Sequence, residues 1–172
     1  DEMDIEIINN YFLGSQVKNL DSIIDIFDSN LRLAKKVSMF FNEIQSYAND
    51  NKLALQSKIS NLDLIESIAI AVKITLQHNK APTFTDAESG GTLSEIDYKI
   101  NLKEYGENIS NGLYNYFSQK PHGYENRISQ EIVKSLIDVY LFRRYKKFNT
   151  IFKLVEAKTD TPDLLDREYY YL

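Results

Sequence analysis

Asn30-Leu31-Arg32-Leu33-Ala34-Lys35-Lys36-Val37-Ser38-Met39-Phe40-Phe41-Asn42-Glu43-Ile44-Gln45-Ser46-Tyr47-Ala48 is the stretch that decides the fold class. Leu31, Ala34, Phe41, Ile44 and Ala48 recur on one face, while Arg32, Lys35, Lys36 and Glu43 lie largely off it. Apolar residues three and four apart make an amphipathic helix that must bury its stripe against something else. Ser29-Asn30 supplies an N-cap, and the polar run Asn49-Asp50-Asn51-Lys52 lets the helix fade.

Outward from this helix the same period recurs. Upstream, Ile5, Ile8 and Phe12 predict a first helix that Gly14 stops. Leu20, Ile23, Ile24 and Phe27 predict a second, short one. Downstream, Ser60-Asn61-Leu62-Asp63 opens a helix over 62–76 that is apolar on more than one face, which predicts a central position. Residues 81–92, with Pro82, Thr83, Asp86, Gly90 and Gly91, read as a loop. Ile109, Leu113, Tyr116 and Phe117 form another helical stripe, Lys120-Pro121-His122-Gly123 breaks it, and Ser129 caps a helix burying Ile132, Leu136 and Val139. Thr161-Pro162 is a further helix start.

One segment supports two readings. Ile96, Tyr98, Ile100 and Leu102 alternate with polar residues, the period of a half-buried strand, whereas Thr92-x-x-Glu95 resembles a helical capping box. The strand over 93–103 is favoured, with Ile151 to Val155 as its partner. The predicted class is therefore mainly α: a helical bundle with a small two-stranded β ribbon.

The chain has 172 residues, 43% of them hydrophobic and 26% charged, enough for one domain with a real core. Residues 1–172 read as a single helical domain, lid-like over 1–50 and a helical remainder over 60–172. The net charge of −5 gives no bulk pull toward nucleic acid or anionic membrane. Cysteine is absent, which removes disulfides, thiolate nucleophiles and Cys-based zinc sites, and fits a reducing, cytoplasmic setting. The start, Asp1-Glu2-Met3-Asp4, lacks the basic end of a secretory signal, and the apolar run from Leu62 to Leu76 is shorter than a bilayer needs. Met3 is not the first residue and the chain stops at Tyr169-Tyr170-Tyr171-Leu172, so a piece of a longer protein is expected.

Self-contained chemistry is scarce. No G-x-x-x-x-G-K-[ST] is present. Ser89-Gly90-Gly91-Thr92 has the composition of an anion nest but no lysine, and reads as a plain turn. His78 falls at a helix end and His122 in a Pro/Gly turn, and neither has metal-ligand or triad company. The pairs Glu104/Glu107 and Asp163/Asp166 read as solvated helix faces. The expectation is no catalytic residue, no metal ligand and no cofactor of its own. A basic segment, Arg143, Arg144, Lys146, Lys147, Lys153 and Lys158, interleaves with Tyr140, Tyr145 and Phe148. Cations and aromatics in this mixture suit an acidic partner surface or unpaired bases. The plainer and favoured reading is a solvated helix end, whose dipole favours Lys and Arg.

The stretch Leu20 to Gln45 resembles the lid of P-loop NTPases of the AAA+ and KAP kind, where a short apolar helix leads into an Asn-[apolar]-Arg element and an amphipathic lid helix. Here the element is Asn30-Leu31-Arg32. The likeness spans residues 3 to 48, and the remaining chain shows no motif of that group. It implies that Arg32 reaches nucleotide phosphates as a sensor, and that ATP and Mg²⁺ are held by Walker elements elsewhere in a full-length protein. The physics agrees: an arginine in a first helical turn opposes the dipole unless an anion docks there. The plain alternative is a capped helix with a solvated Arg32. Three functions follow: a lid relaying nucleotide state to the rest of its own chain or a partner, a nucleotide-independent protein-interaction module, and single-stranded nucleic-acid binding through residues 143–158.

Overall fold

The computed structural model describes residues 2–15, 17, 19–55, 59–78, 95–143 and 145. Five α-helices carry these residues: α1 (Glu2–Tyr11), α2 (Leu31–Asp50), α3 (Asn61–Gln77), α4 (Glu95–Ser118) and α5 (Gln130–Phe142). Short 3-10 turns lie at Leu13–Ser15, Ile24–Phe27 and Tyr124–Asn126.

Helix α1 begins with Glu2 and Asp4, acids that suit the positive end of the helix dipole. Ile8 and Phe12 are buried as the spacing predicts. The chain then turns back, and the Asn9 side-chain oxygen accepts the Leu20 amide at 3.1 Å. Leu20, Ile23 and Phe27 bury the predicted second stripe, but the backbone winds as a 3-10 turn of four residues, not an α-helix. So short a segment gains too few hydrogen bonds to nucleate an α-helix, and the left-handed Asp28 ends it.

Asn30 caps α2 by accepting the Leu33 amide. Ala34, Phe41, Ile44 and Ala48 are buried as expected, and Leu33, Val37 and Phe40 widen the stripe enough to meet two neighbours. Helix α3 is one of these. Ser60 accepts the Asp63 amide at its start, and every residue from Leu64 to Val72 is buried. Its interior hydroxyls donate one turn back, Ser67 to the Asp63 carbonyl and Thr75 to the Ala71 carbonyl, so burial strands no hydroxyl. Helix α3 packs chiefly against α2 on one side and α5 on the other, which is the central place its sequence predicts.

The favoured strand over 93–103 is overturned: residues 95–118 form one α-helix, and no strand occurs among the described residues. The proposed partner, Ile151 to Val155, lies outside the described residues, as do the loop over 81–92 and Thr161-Pro162. The alternation was local. Positions 98, 102, 105, 109, 113 and 116 continue at steps of three and four, so the period that persists for about five turns wins over the one that persists for four pairs. Tyr105, Ile109 and Leu113 are the buried part of that row.

Gly112 lets α4 approach the end of α3. A Cβ there would lie 2.5 Å from His78 Nε2 and 3.2 Å from Ile74 Cγ2. His78 is the C-terminal cap residue of α3, as the sequence implies. Ser129 caps α5, and Ile132, Leu136 and Val139 are buried beneath it. Apolar residues from all five helices join one cluster, in which Phe12 meets Phe27 and Phe41 at ring separations of 6.1 and 6.2 Å.

Candidate functional site

Phe27-Asp28-Ser29-Asn30 is a tight turn closed by the Asn30 amide on the Phe27 carbonyl at 2.8 Å. Both central residues are left-handed, with φ of 49° at Asp28 and 56° at Ser29, a conformation that costs any residue with a Cβ. The turn aims the chain into α2. Asn30 Oδ1 accepts the Leu33 amide at 3.1 Å, and the Asn30 carbonyl accepts the Ala34 amide at 3.0 Å. Arg32 therefore stands in the first helical turn, exposed, on a fixed backbone. That turn contains no acidic residue, and among the described residues Arg32 makes no ion pair.

Behind the turn lies a cleft of about 310 Å³ between the Ile24–Phe27 turn, α3, the end of α4 and the Tyr124–Asn126 turn. Two groups of charges line it. Lys73 of α3 donates to Asp28 Oδ2 at 3.0 Å and to the Ile26 carbonyl at 3.2 Å. Glu66, two helical turns earlier on the same face of α3, is buried, with its side chain only 8% exposed. It accepts the Tyr124 hydroxyl at 2.5 Å and both terminal nitrogens of Arg127 at 3.1–3.3 Å. Arg127 also reaches Asp63 at 2.7 Å. Burial alone would lower the Arg127 pKa, but hydrogen bonds and charge from Asp63 and Glu66 hold it above the ordinary guanidinium value. Burial pushes the Tyr124 hydroxyl well above the usual phenol range, and Glu66 and Tyr116 push it further. Lys120 sits over the rings of Tyr116 and Tyr124 at 4.6 and 5.4 Å.

This network was not singled out as a site in the sequence, where Asp63 figures in a helix start and Glu66 and Lys73 lie within the apolar run from Leu62 to Leu76. The signal was there. An ionised residue in a helix apolar on several faces must find a partner or forfeit its hydration. The partners, 61 residues downstream at Arg127 and 45 upstream at Asp28, required the fold to be known.

The basic segment resolves differently. Arg143 ends α5 in the left-handed conformation, φ 53°, its amide on the Val139 carbonyl. Its guanidinium binds Glu43 of α2, which also accepts the Tyr145 hydroxyl at 3.2 Å. Burial would lower the Arg143 pKa, and the Glu43 charge together with Tyr145 raises it. Tyr145 stacks on Tyr47 with ring centroids 5.1 Å apart. Arg143 thus joins two helices within the molecule. Arg144, Lys146, Lys147, Lys153 and Lys158 lie outside the described residues. The structure does not bring Arg143 and Arg32 together: Arg143 pairs at Glu43, three turns along α2 from Arg32. His122, Glu104 and Glu107 are exposed. Among the described residues no group of His, Cys, Asp and Glu is arranged to hold a metal, and no helix is long and apolar enough to cross a membrane.

Compared with known proteins, the chain matches no family model, no curated protein and no solved structure.

Proposed function

We propose that this chain is the lid and following helical region of a larger cytoplasmic P-loop NTPase, sensing nucleotide state through Arg32 and relaying it through the bundle to a partner surface. One observation carries the reading: an exposed arginine, with no ion pair among the described residues, stands in the first turn of a long capped helix whose first turn holds no acid. A guanidinium borne by the first turn of a helix, beside its end N–H groups, is the chemistry that receives a phosphate. The order of parts also fits: a short apolar turn, the Asn30-Leu31-Arg32 element, then an amphipathic helix of 20 residues. ATP and Mg²⁺ belong to the P-loop portion, and this chain lends an arginine without performing hydrolysis by itself.

The reading requires Walker A and Walker B elements in the full-length polypeptide, and their absence from the gene sinks it. With them present, Arg32→Ala lowers ATP turnover of the full-length protein about 10- to 100-fold, the worth of one charge-assisted hydrogen bond in a transition state. Unchanged turnover removes Arg32 from the mechanism.

A nucleotide-independent protein-interaction module is the second reading. It draws on an open groove of about 540 Å³ along α2, where Met39 is 57% exposed beside Tyr47 and Tyr145. A partner held equally well with and without ATP, and released by Met39→Asp, favours it over the lid. Nucleic-acid binding has less support, because Arg143 is already engaged by Glu43.

A further inference from the structure

We propose that Lys73 is a positioning residue for Arg32: its ammonium group clamps the left-handed turn that sets the direction of the first turn of α2. The Arg32 part of this proposal rests on the lid reading above, whereas the clamp stands on geometry alone.

Two adjacent residues with Cβ atoms, Asp28 and Ser29, hold positive φ. Aspartate, like asparagine, visits this region, but serine has no such preference, so the local sequence accounts for at most the first of the two residues. A conformation of this kind persists where tertiary contacts over-determine it. Lys73 supplies them from α3, far away in the chain: it binds the carbonyl of Ile26 on one side of the turn and the carboxylate of Asp28 within it. One ammonium group thus ties the last turn of Ile24–Phe27 to the first of the two left-handed residues.

The placement of the lysine argues the same way. From Leu64 to Thr75, α3 carries only two ionisable side chains, Glu66 and Lys73. Glu66 is saturated by Tyr124 and Arg127. Lys73 is three-quarters buried, and both of its contacts go to the segment that delivers Arg32. From that segment the geometry is transmitted through the backbone and the Asn30 cap. The turn fixes Asn30, Asn30 caps Leu33 and Ala34, and Arg32 sits between them. A few degrees of freedom at residue 28 become a change in where the guanidinium points.

The test uses two readouts. In the 172-residue chain, Lys73→Met speeds amide exchange at Leu33 and Ala34 by about 10-fold relative to the centre of α3, and Lys73→Arg restores most of the protection. Asp28→Asn, at a site already 72% exposed, gives a smaller rise and guards against a Lys73→Met chain that fails to fold. In the full-length protein, Lys73→Met lowers kcat for ATP by about 10-fold with little change in KM, and adding it to Arg32→Ala lowers turnover no further. Unaltered exchange at Leu33 and Ala34 in both Lys73→Met and Asp28→Asn overturns the clamp. Faster exchange with unaltered turnover, in a protein that Arg32→Ala disables, overturns the positioning role and leaves the lid reading intact. If Arg32→Ala itself has no effect, the lid reading and the positioning role both fall, while the exchange result still decides the clamp.

Discussion

Replacing Arg127 by Met tests what holds the polar side of the bundle. The substitution keeps the length and apolar stem of the side chain and removes its charge. Glu66 is left with a carboxylate only 8% exposed and one remaining donor, the Tyr124 hydroxyl. Removing one partner from a fully buried ion pair costs about 3–5 kcal/mol, because the other charge stays buried and uncompensated. Arg127 is 47% exposed, so water enters the vacated space and screens part of that cost. The contact of the guanidinium with the Tyr124 ring, 5.5 Å from its centroid, adds a smaller loss. The net expectation is about 2 kcal/mol, which lowers the melting temperature of a chain this size by about 4–8 °C. Urea unfolding followed by circular dichroism reads it as a lower midpoint at constant m. The cause is the stranded charge, so Glu66→Gln in the same background returns part of the loss, making the pair of substitutions cost less than their sum. If Arg127→Met costs under about 0.5 kcal/mol, the range of an exposed pair, the account of Glu66 as a buried charge is wrong. Strict additivity with Glu66→Gln refutes it as well.

Two further predictions concern single groups. Asn30→Ala removes the acceptor for the Leu33 amide and costs about 1 kcal/mol, while Asn30→Asp keeps the cap and costs little; paired urea melts separate the two. Tyr124 gives a signature in alkali. Its pKa is raised in the fold above the ordinary 10.0, so its contribution is full below pH 10.0 and falls as pH rises beyond that value. Urea midpoints of the parent therefore drop as pH rises above about 10, and Tyr124→Phe lessens that drop. An identical alkaline decline in both proteins counts against the burial of the hydroxyl.

The helices were legible because their stripes repeat over many turns: Ala34, Phe41, Ile44 and Ala48 in α2, the all-round apolar α3, and Ile132, Leu136 and Val139 in α5 all sit where their spacing puts them. Segment 95–102 misled because a short alternating run satisfies a strand period by itself, and only continuity with Tyr105, Ile109 and Leu113 distinguishes the helix. The caps at Asn30, Ser60 and Ser129 were readable from side-chain chemistry within three residues. The charge network was not, since Asp28, Lys73, Glu66 and Arg127 meet only after α3 has been placed between the ends of other elements. Arg32 was singled out by resemblance and by its conflict with the helix dipole, and the fold leaves it exposed in the first turn of α2 while Leu33 and Ala34 beside it are buried.

Helix α2 is also a lever. Twenty residues at 1.5 Å each make a rod of about 30 Å. Taken from its first residue, Leu31, Glu43 with its grip on Arg143 lies about 18 Å along it. A tilt of about 5° at the Arg32 end sweeps Glu43 through roughly 1.5 Å and the far tip through nearly 3 Å, by the same rise per residue. Such a stroke is about half the length of an ordinary hydrogen bond at Glu43, enough to loosen its hold on Arg143, the residue that caps the end of α5.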